Sequence, residues 1–333
     1  MTDLLITQEP EAGDAPASGA RQVWRRLRAR KSAVAAAAVL GLLVLLALAA
    51  PLLAALEGQD PNTYHDTLVD SARGGVPLGD FGGISAEHWL GVEPGTGRDM
   101  FVRLLYGARV SLLVALGATV VQVLIGLAVG LAAALGNRFV DSALSHLTDV
   151  MVAMPLLVFA IALMAVVPAD FPRPLLLVFA IGLLAWGPMA RLVRGQTLSL
   201  KKLDYVSAAR LTGGSSWRVA RRELLPALAA PVITYAAILL PGNIVVEASM
   251  SFLGVGVKPP TPSWGQMLST ATTWFRSDPA YVLLPALLLF VTTLAFTVLA
   301  DGVRVALDPR EASRLRVGRG RRTSRKTRPG GPA

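Results

Sequence analysis

The cleanest apolar run in the sequence, Ala33 to Leu56, holds 24 residues without one ionisable side chain. Crossing about 30 Å of hydrocarbon takes about 20 such residues in a helix, so this run is long enough to span a bilayer. A secretory signal peptide would carry an apolar stretch of only about 7 to 15 residues. This run is longer and follows 32 mainly polar or basic positions, so it is read as an uncleaved anchor. Further runs at 110–135, 147–167, 174–193, 229–250 and 282–300 bring the expected number of spans to six. Arg191, Arg194, Pro231, Pro241 and Glu247 border or interrupt the fourth and fifth, and prolines inside spans are tolerated where neighbouring helices re-satisfy the backbone. Only 16% of the residues are charged, where a soluble domain carries about 25%, and mean hydropathy is +0.54. Disorder and an ordinary soluble enzyme are excluded. The expected fold class is all-α, a polytopic integral membrane protein.

Lysines and arginines orient such a chain, because basic loops stay cytoplasmic. With the N-terminus inside, 25 of the 32 basic residues fall on inner segments, and both termini are expected in the cytoplasm. The segment from Glu57 to Gly107 carries eight acids against three arginines, a balance compatible with an external loop. The net charge of +10 is therefore mostly topology. A basic tail from Arg314 to Arg328 facing anionic lipid needs no nucleic acid to explain it.

The chain has no cysteine, which removes disulfides, thiolate zinc sites, iron–sulfur clusters and a cysteine nucleophile. There is no Gly-x-x-x-x-Gly-Lys-Ser/Thr loop for ATP, no His-Glu-x-x-His and no Gly-x-Ser-x-Gly. His65, His88 and His146 are far apart in sequence and are not read as metal ligands. No catalytic residue, metal or cofactor of this chain's own is expected. Gly126 and Gly130 form a small-xxx-small face suited to close helix packing. Ion-coupled pumps rely on intramembrane acids, and only Asp149, Glu247 and Asp301 qualify here. Asp149 and Asp301 fall at cytoplasmic helix ends, with Arg304 expected to pair with Asp301 one turn on. Glu247 is expected to face the bundle interior, the outer interface or a pathway, either as a hydrogen-bonding group or as part of a gate.

The longest inner loop, 195–226, reads as two short helices, broken at Gly213-Gly214 and ended by Leu225-Pro226. The first, about Leu203 to Leu211, places Ala208 and Ala209 side by side, small enough to seat in a groove on another protein. The stretch Asp204-Tyr-Val-Ser-Ala-Ala-Arg-Leu-Thr-Gly213, with Glu223-Leu-Leu-Pro226 nine residues on, resembles the EAA loop of permease subunits of binding-protein-dependent ABC importers. Ala208, Ala209, Gly213, Leu225 and Pro226 match that pattern. Ser207 stands in place of its Glu, and Glu223 departs from it. The motifs His88-Trp-Leu-Gly91 with Gly97-Arg-Asp99, Leu105 to Leu112, Asp149 to Pro155, Ala190-Arg-Leu-Val-Arg194, Glu247 to Gly254, Pro259 to Gly265, and Asp301-Gly-Val-Arg304 resemble the second permease of the dipeptide, oligopeptide and nickel branch. Together they cover about residues 25 to 310 in order; Gly58 to Ser85 and both termini carry no such motif.

The resemblance implies the type I ABC importer permease fold in a bacterial inner or plasma membrane. On that reading, residues 1–32 are a cytoplasmic tail, 33–56 the first span and 57–109 an external loop. Residues 110–305 are a five-helix permease core and 306–333 a basic cytoplasmic tail. The implied partners are a second permease in a heterodimer, two ATP-binding subunits that hold ATP and Mg, an external solute-binding protein, and membrane lipid. The loop, through Tyr205, Ser207, Ala208, Ala209, Gly213, Leu225 and Pro226, would couple to an ATPase. Glu247, Ser249, Ser251 and Trp264 are candidates for a pathway or gate. Lys258 to Gly265, external on this topology, would shape a gate or binding-protein platform or anchor Trp264 at the interface. Peptides are the expected solutes. Nickel or another solute, an ion-coupled secondary transporter, and a plain membrane anchor stay open.

Overall fold

The computed structural model describes residues 19–168, 170–211 and 215–307. Gly213 and the basic tail beyond Leu307 lie outside these residues. An amphipathic α1 (Gly19–Ala29) leads into the first span, α2 (Lys31–Leu48), which α3 (Ala50–Glu57) continues after a break at Ala49. Pro51, in the first turn of α3, has no N–H to carry the helical ladder across that break. Three further helices are long and apolar enough to cross a membrane. These are α4 (Met100–Leu135), α11 (Leu225–Phe252) and α13 (Pro279–Leu307).

The third and fourth expected spans are each broken. Helix α5 (Arg138–Ala153) turns by 88° into α6 (Leu156–Val166), and α7 (Arg173–Leu184) turns by 43° into α8 (Gly187–Leu200). Pro155 causes the first break: Met154 before it is extended, at φ −72 and ψ 129, as a residue preceding proline prefers. Pro188 sits in the first turn of α8, after the second break. At 1.5 Å per residue α6 reaches only about 16 Å, so it cannot cross the hydrocarbon alone. Six spans result when each bent pair counts as one.

Helix α4 begins ten residues before the expected end of the external loop, so 100–109 are helical. Asp99 starts it, its Oδ1 accepting from the Val102 amide at 2.8 Å, a side-chain N-cap. The same helix is shared by three apolar clusters. Met100, Leu104, Ala108 and Leu112 meet α2, α11 and α13, with Trp264 and Met267 of α12 (Trp264–Ala271). Val114 and Ala118 meet α6 and α7, and Val123 and Leu127 meet α8. Gly126 and Gly130 allow the last contact, since a Cβ on Gly130 would lie 2.7 Å from the Ala190 carbonyl oxygen.

On the opposite end of the bundle from the inner loop, residues between α3 and α4 form a small lobe around an antiparallel pair, β1 (Val69–Asp70) with β2 (Val76–Pro77). Helix α1 folds back on the end of α13, where Arg26 Nη1 donates to the Ala306 carbonyl at 3.3 Å. Asp301, expected to pair with Arg304, instead faces Arg30 at 3.9 Å for that reason.

Candidate functional site

The inner loop is shorter than the sequence suggests. Gly195 lies within α8, and a three-residue turn, Lys201 to Leu203, leads to α9 (Asp204–Leu211). The chain re-enters helix at α10 (Ser216–Val219) and passes through a π-turn, Ala220–Leu224, directly into α11. Leu225-Pro226 therefore opens the fifth span instead of closing the loop, which a proline in the first helical turn permits. The expected 195–226 loop narrows to the stretch between the end of α8 at Leu200 and the start of α10 at Ser216.

Helix α9 is seated on the bundle by one face. Val206, with no exposed surface, packs with Val219 and Leu224, and half-buried Ala209 joins them alongside Leu135 and Leu200. Leu224 fills this core, while Leu225 is half-buried and Pro226 exposed. Tyr205, Ser207 and Ala208 face outward, and Leu211 and Trp217 are exposed by 89% and 72%. Lys201 Nζ fixes the turn before α9 by donating to the Ala134 carbonyl at 2.6 Å, a cation at the C-terminal end of α4. The loop thus presents an outward face with apolar side chains on a support anchored to α4, α8 and α11.

The four candidates for a pathway or gate do not form one site. Glu247 is fully buried, with Ser111, Ser251 and Ser263 around its carboxyl. Ser251 Oγ donates to Glu247 Oε1 at 2.8 Å and accepts from the Val257 amide at 3.1 Å. Ser249 points the other way, its hydroxyl returned to the Val245 carbonyl at 2.7 Å. It lines an apolar groove of about 580 Å³ between α11, α12 and α13. Trp264 is neither an interfacial anchor nor exposed to a path. It has no exposed surface, donates from Nε1 to the Leu104 carbonyl at 3.0 Å, and lies against Gly107. Ser263, capping α12 through the Gln266 amide, starts the helix that carries the indole inward.

Three polar groupings lie outside these candidates. In the lobe between α3 and α4, Glu93 receives Arg98 and Arg103, at 2.8 and 2.7 Å, and the Tyr281 hydroxyl at 3.1 Å. Arg103 also donates to the carbonyls of Pro61 and Pro260 and to Gln266 Oε1. Within the bundle, Asn243 and Gln122 exchange amide hydrogen bonds at 3.0 and 3.1 Å, and Asn243 Nδ2 also donates to Thr119 Oγ1 at 2.8 Å. Near the inner loop, Arg194 meets Asp141 through two bonds and Arg191 meets Asp149. The sequence signal for the second grouping was an amide in each of two otherwise apolar runs. His65 and His88, distant in sequence, stand with ring centroids 5.2 Å apart, and His88 Nδ1 lies 2.8 Å from Asp99 Oδ2. Beside them, burial pushes the Glu57 carboxyl above its ordinary range while the Trp89 amide pulls it down. Among the described residues no three His, Asp or Glu side chains converge as a metal would require.

A family model described as binding-protein-dependent transport system inner membrane component matches residues 122–313. A second, described as the N-terminal TM domain of oligopeptide transport permease C, matches residues 18–72, reaching past Gly58 into the stretch that carries no motif of the resemblance. The glutathione transport system permease protein GsiD of Pectobacterium atrosepticum is 36% identical over 87% of this chain and 91% of its own. The dipeptide transport system permease protein DppC of Alkalihalophilus pseudofirmus is 32% identical over 94% of this chain and 97% of its own. Among solved structures, one of the inward-facing MetNI methionine ABC transporter is similar with a TM-score of 0.50, covering 62% of this chain and 96% of that one. At 17% identity that likeness is one of fold alone. The long spans, the seated inner helix and these matches agree: the chain belongs to the family of binding-protein-dependent transport system inner membrane components, the multi-pass permease subunits of ABC importers.

Proposed function

We propose that this permease forms, with a second permease, the pathway by which an importer takes up short peptides delivered by an external solute-binding protein. Two ATP-binding subunits dock on the inner loop and hold the ATP and Mg that drive the cycle. The chain contributes no catalytic group or cofactor, and both of its termini face the cytoplasm. The observation that carries the reading is α9: its inner face is packed on the bundle through Val206 and Ala209, and its outer face offers Tyr205, Ser207 and Ala208. A helix held this way moves as a body with α8 and α11, so closure of the ATPases beneath it can shift the spans between two arrangements. The named relatives, a glutathione and a dipeptide permease, favour peptides over nickel as cargo.

The test is reconstitution of the chain with its partner subunits in proteoliposomes, with peptide-loaded binding protein on one side and ATP on the other. Peptide uptake that needs both ATP and binding protein is the expected result. Uptake driven by an ion gradient without ATPase subunits would overturn the reading.

A further inference from the structure

Helix α5 has almost no apolar attachment to the molecule: Thr148 is its single buried residue. Its link to α8 is polar. Arg194 Nε and Nη2 donate to the two carboxylate oxygens of Asp141 at 2.6 and 2.8 Å, and Arg191 Nη2 donates to Asp149 Oδ1 at 2.7 Å. Beneath these pairs lies a cavity of about 290 Å³, lined by Gly130, Ala133, Ser145, Thr148 and Ala190. Side-chain packing does not fill the gap, so the ion pairs bridge it. The two helices touch closely at one place, where a Cβ on Gly187 would lie 2.6 Å from Val152 Cγ2.

We infer that Asp141 and Asp149 are positioning residues for transport, joining α5 to α8 as a strut that carries movement of the inner loop into the bent α5–α6 segment. The inference rests on the coupling role proposed for α9. Asp141 and Asp149 are eight positions apart, about 12 Å along α5, so the attachment fixes the orientation of the helix as well as its distance. At one end of the joint, α8 runs through Lys201–Leu203 into α9. At the other, α5 turns by 88° at Met154-Pro155 into α6, which lies in the apolar core with α7 and α4. A push on α9 along α8 is thereby delivered to α6 through two ion pairs. Without them, α5 would keep its covalent ends, its approach to the end of α4 and the contact at Gly187.

The complete importer in proteoliposomes tests this by the ratio of peptide taken up to ATP hydrolysed. Asp141→Asn with Asp149→Asn should lower uptake by about tenfold while ATP hydrolysis stays within about threefold of the original. The reversed pairs, Asp141→Arg with Arg194→Asp and Asp149→Arg with Arg191→Asp, should restore the ratio, an outcome a role in folding alone would not give. An unchanged ratio in the neutral variant, or a reversed variant as defective as the neutral one, overturns the inference. A second measurement needs no transported solute. Because the chain has no cysteine, spin labels at Ser142→Cys and Ser199→Cys report one distance across the joint. That distance should stay within about 2 Å between the nucleotide-free and ATP-trapped complexes, while the neutral variant lets it change; a larger change in the original protein sinks the strut even if peptides prove to be the wrong cargo.

Discussion

Arg103, with no exposed surface, ties together segments that the sequence holds far apart: the start of α4, the loop at Pro61, the loop at Pro260 and α12 through Gln266. Glu93 supplies its counter-charge, and Arg98 and Tyr281 complete the cluster. Removing one member of a buried ion pair leaves the other uncompensated, so Glu93→Ala should destabilise the lobe between α3 and α4 by about 3–5 kcal/mol. A matching drop in the melting temperature of the purified complex checks this, and an unchanged one contradicts it. The amide pair within the bundle carries a smaller prediction. Asn243→Ala strips the buried Gln122 of its partner amide, and should cost about 1–2 kcal/mol by the same measurement. Of these residues the sequence marked Arg103 only as an outer charge and left Gln122 and Asn243 unread. A partner 121 positions away has no signature in local spacing. Trp264 shows the same limit: tryptophans suit the interface by chemistry, but Ser263 starts a helix that turns this one into the core.

Between elements, the close approach of α4 to α8 depends on the absence of side chains at Gly126 and Gly130. Gly130→Val should push α8 and its inner loop away and cost about 1–3 kcal/mol, with ATPase retention on purification falling in parallel. The seating of α9 sharpens the choice of substitution on the face proposed to couple. Ala209 belongs to the packed side, so enlarging it disturbs the bundle as well as the docking surface. Ala208→Trp, on the outward side, should leave insertion and stability unchanged and reduce co-purification of the ATP-binding subunits by about tenfold. Full retention of those subunits would show that this face does not dock. The helix at about Leu203 to Leu211 was legible from helix-favouring residues followed by the Gly213-Gly214 pair, and in the structure it runs from Asp204 to Leu211. The breaks at Met154-Pro155 and Ala185-Trp186 were not read, because a window of hydropathy averages across a proline that the backbone cannot cross straight.

For the molecule as a whole, the distribution of lysine and arginine predicts opposite sides for the inner loop and the external lobe. Single cysteines placed in this cysteine-free chain test that directly. Thr63→Cys should react with an impermeant maleimide in intact cells, and Ser207→Cys only after the membrane is opened; the reverse pattern would invert the topology. What the sequence determined by itself is the solvent of this protein, the number of apolar segments and the family. Runs longer than the hydrocarbon is thick, sided charge and in-order motifs are all properties of composition along the chain. Tertiary structure alone decided which segments run straight, which polar residues meet, and which candidates face inward. Those outcomes depend on pairs such as Arg194 with Asp141 and Asn243 with Gln122, each satisfied across 53 to 124 positions of chain, including the bond from Asn243 to Thr119. For the buried amides hydrocarbon offers no water to replace a missing partner, while the partly exposed Arg194–Asp141 pair ties α5 to α8, and only the folded arrangement brings either pair together.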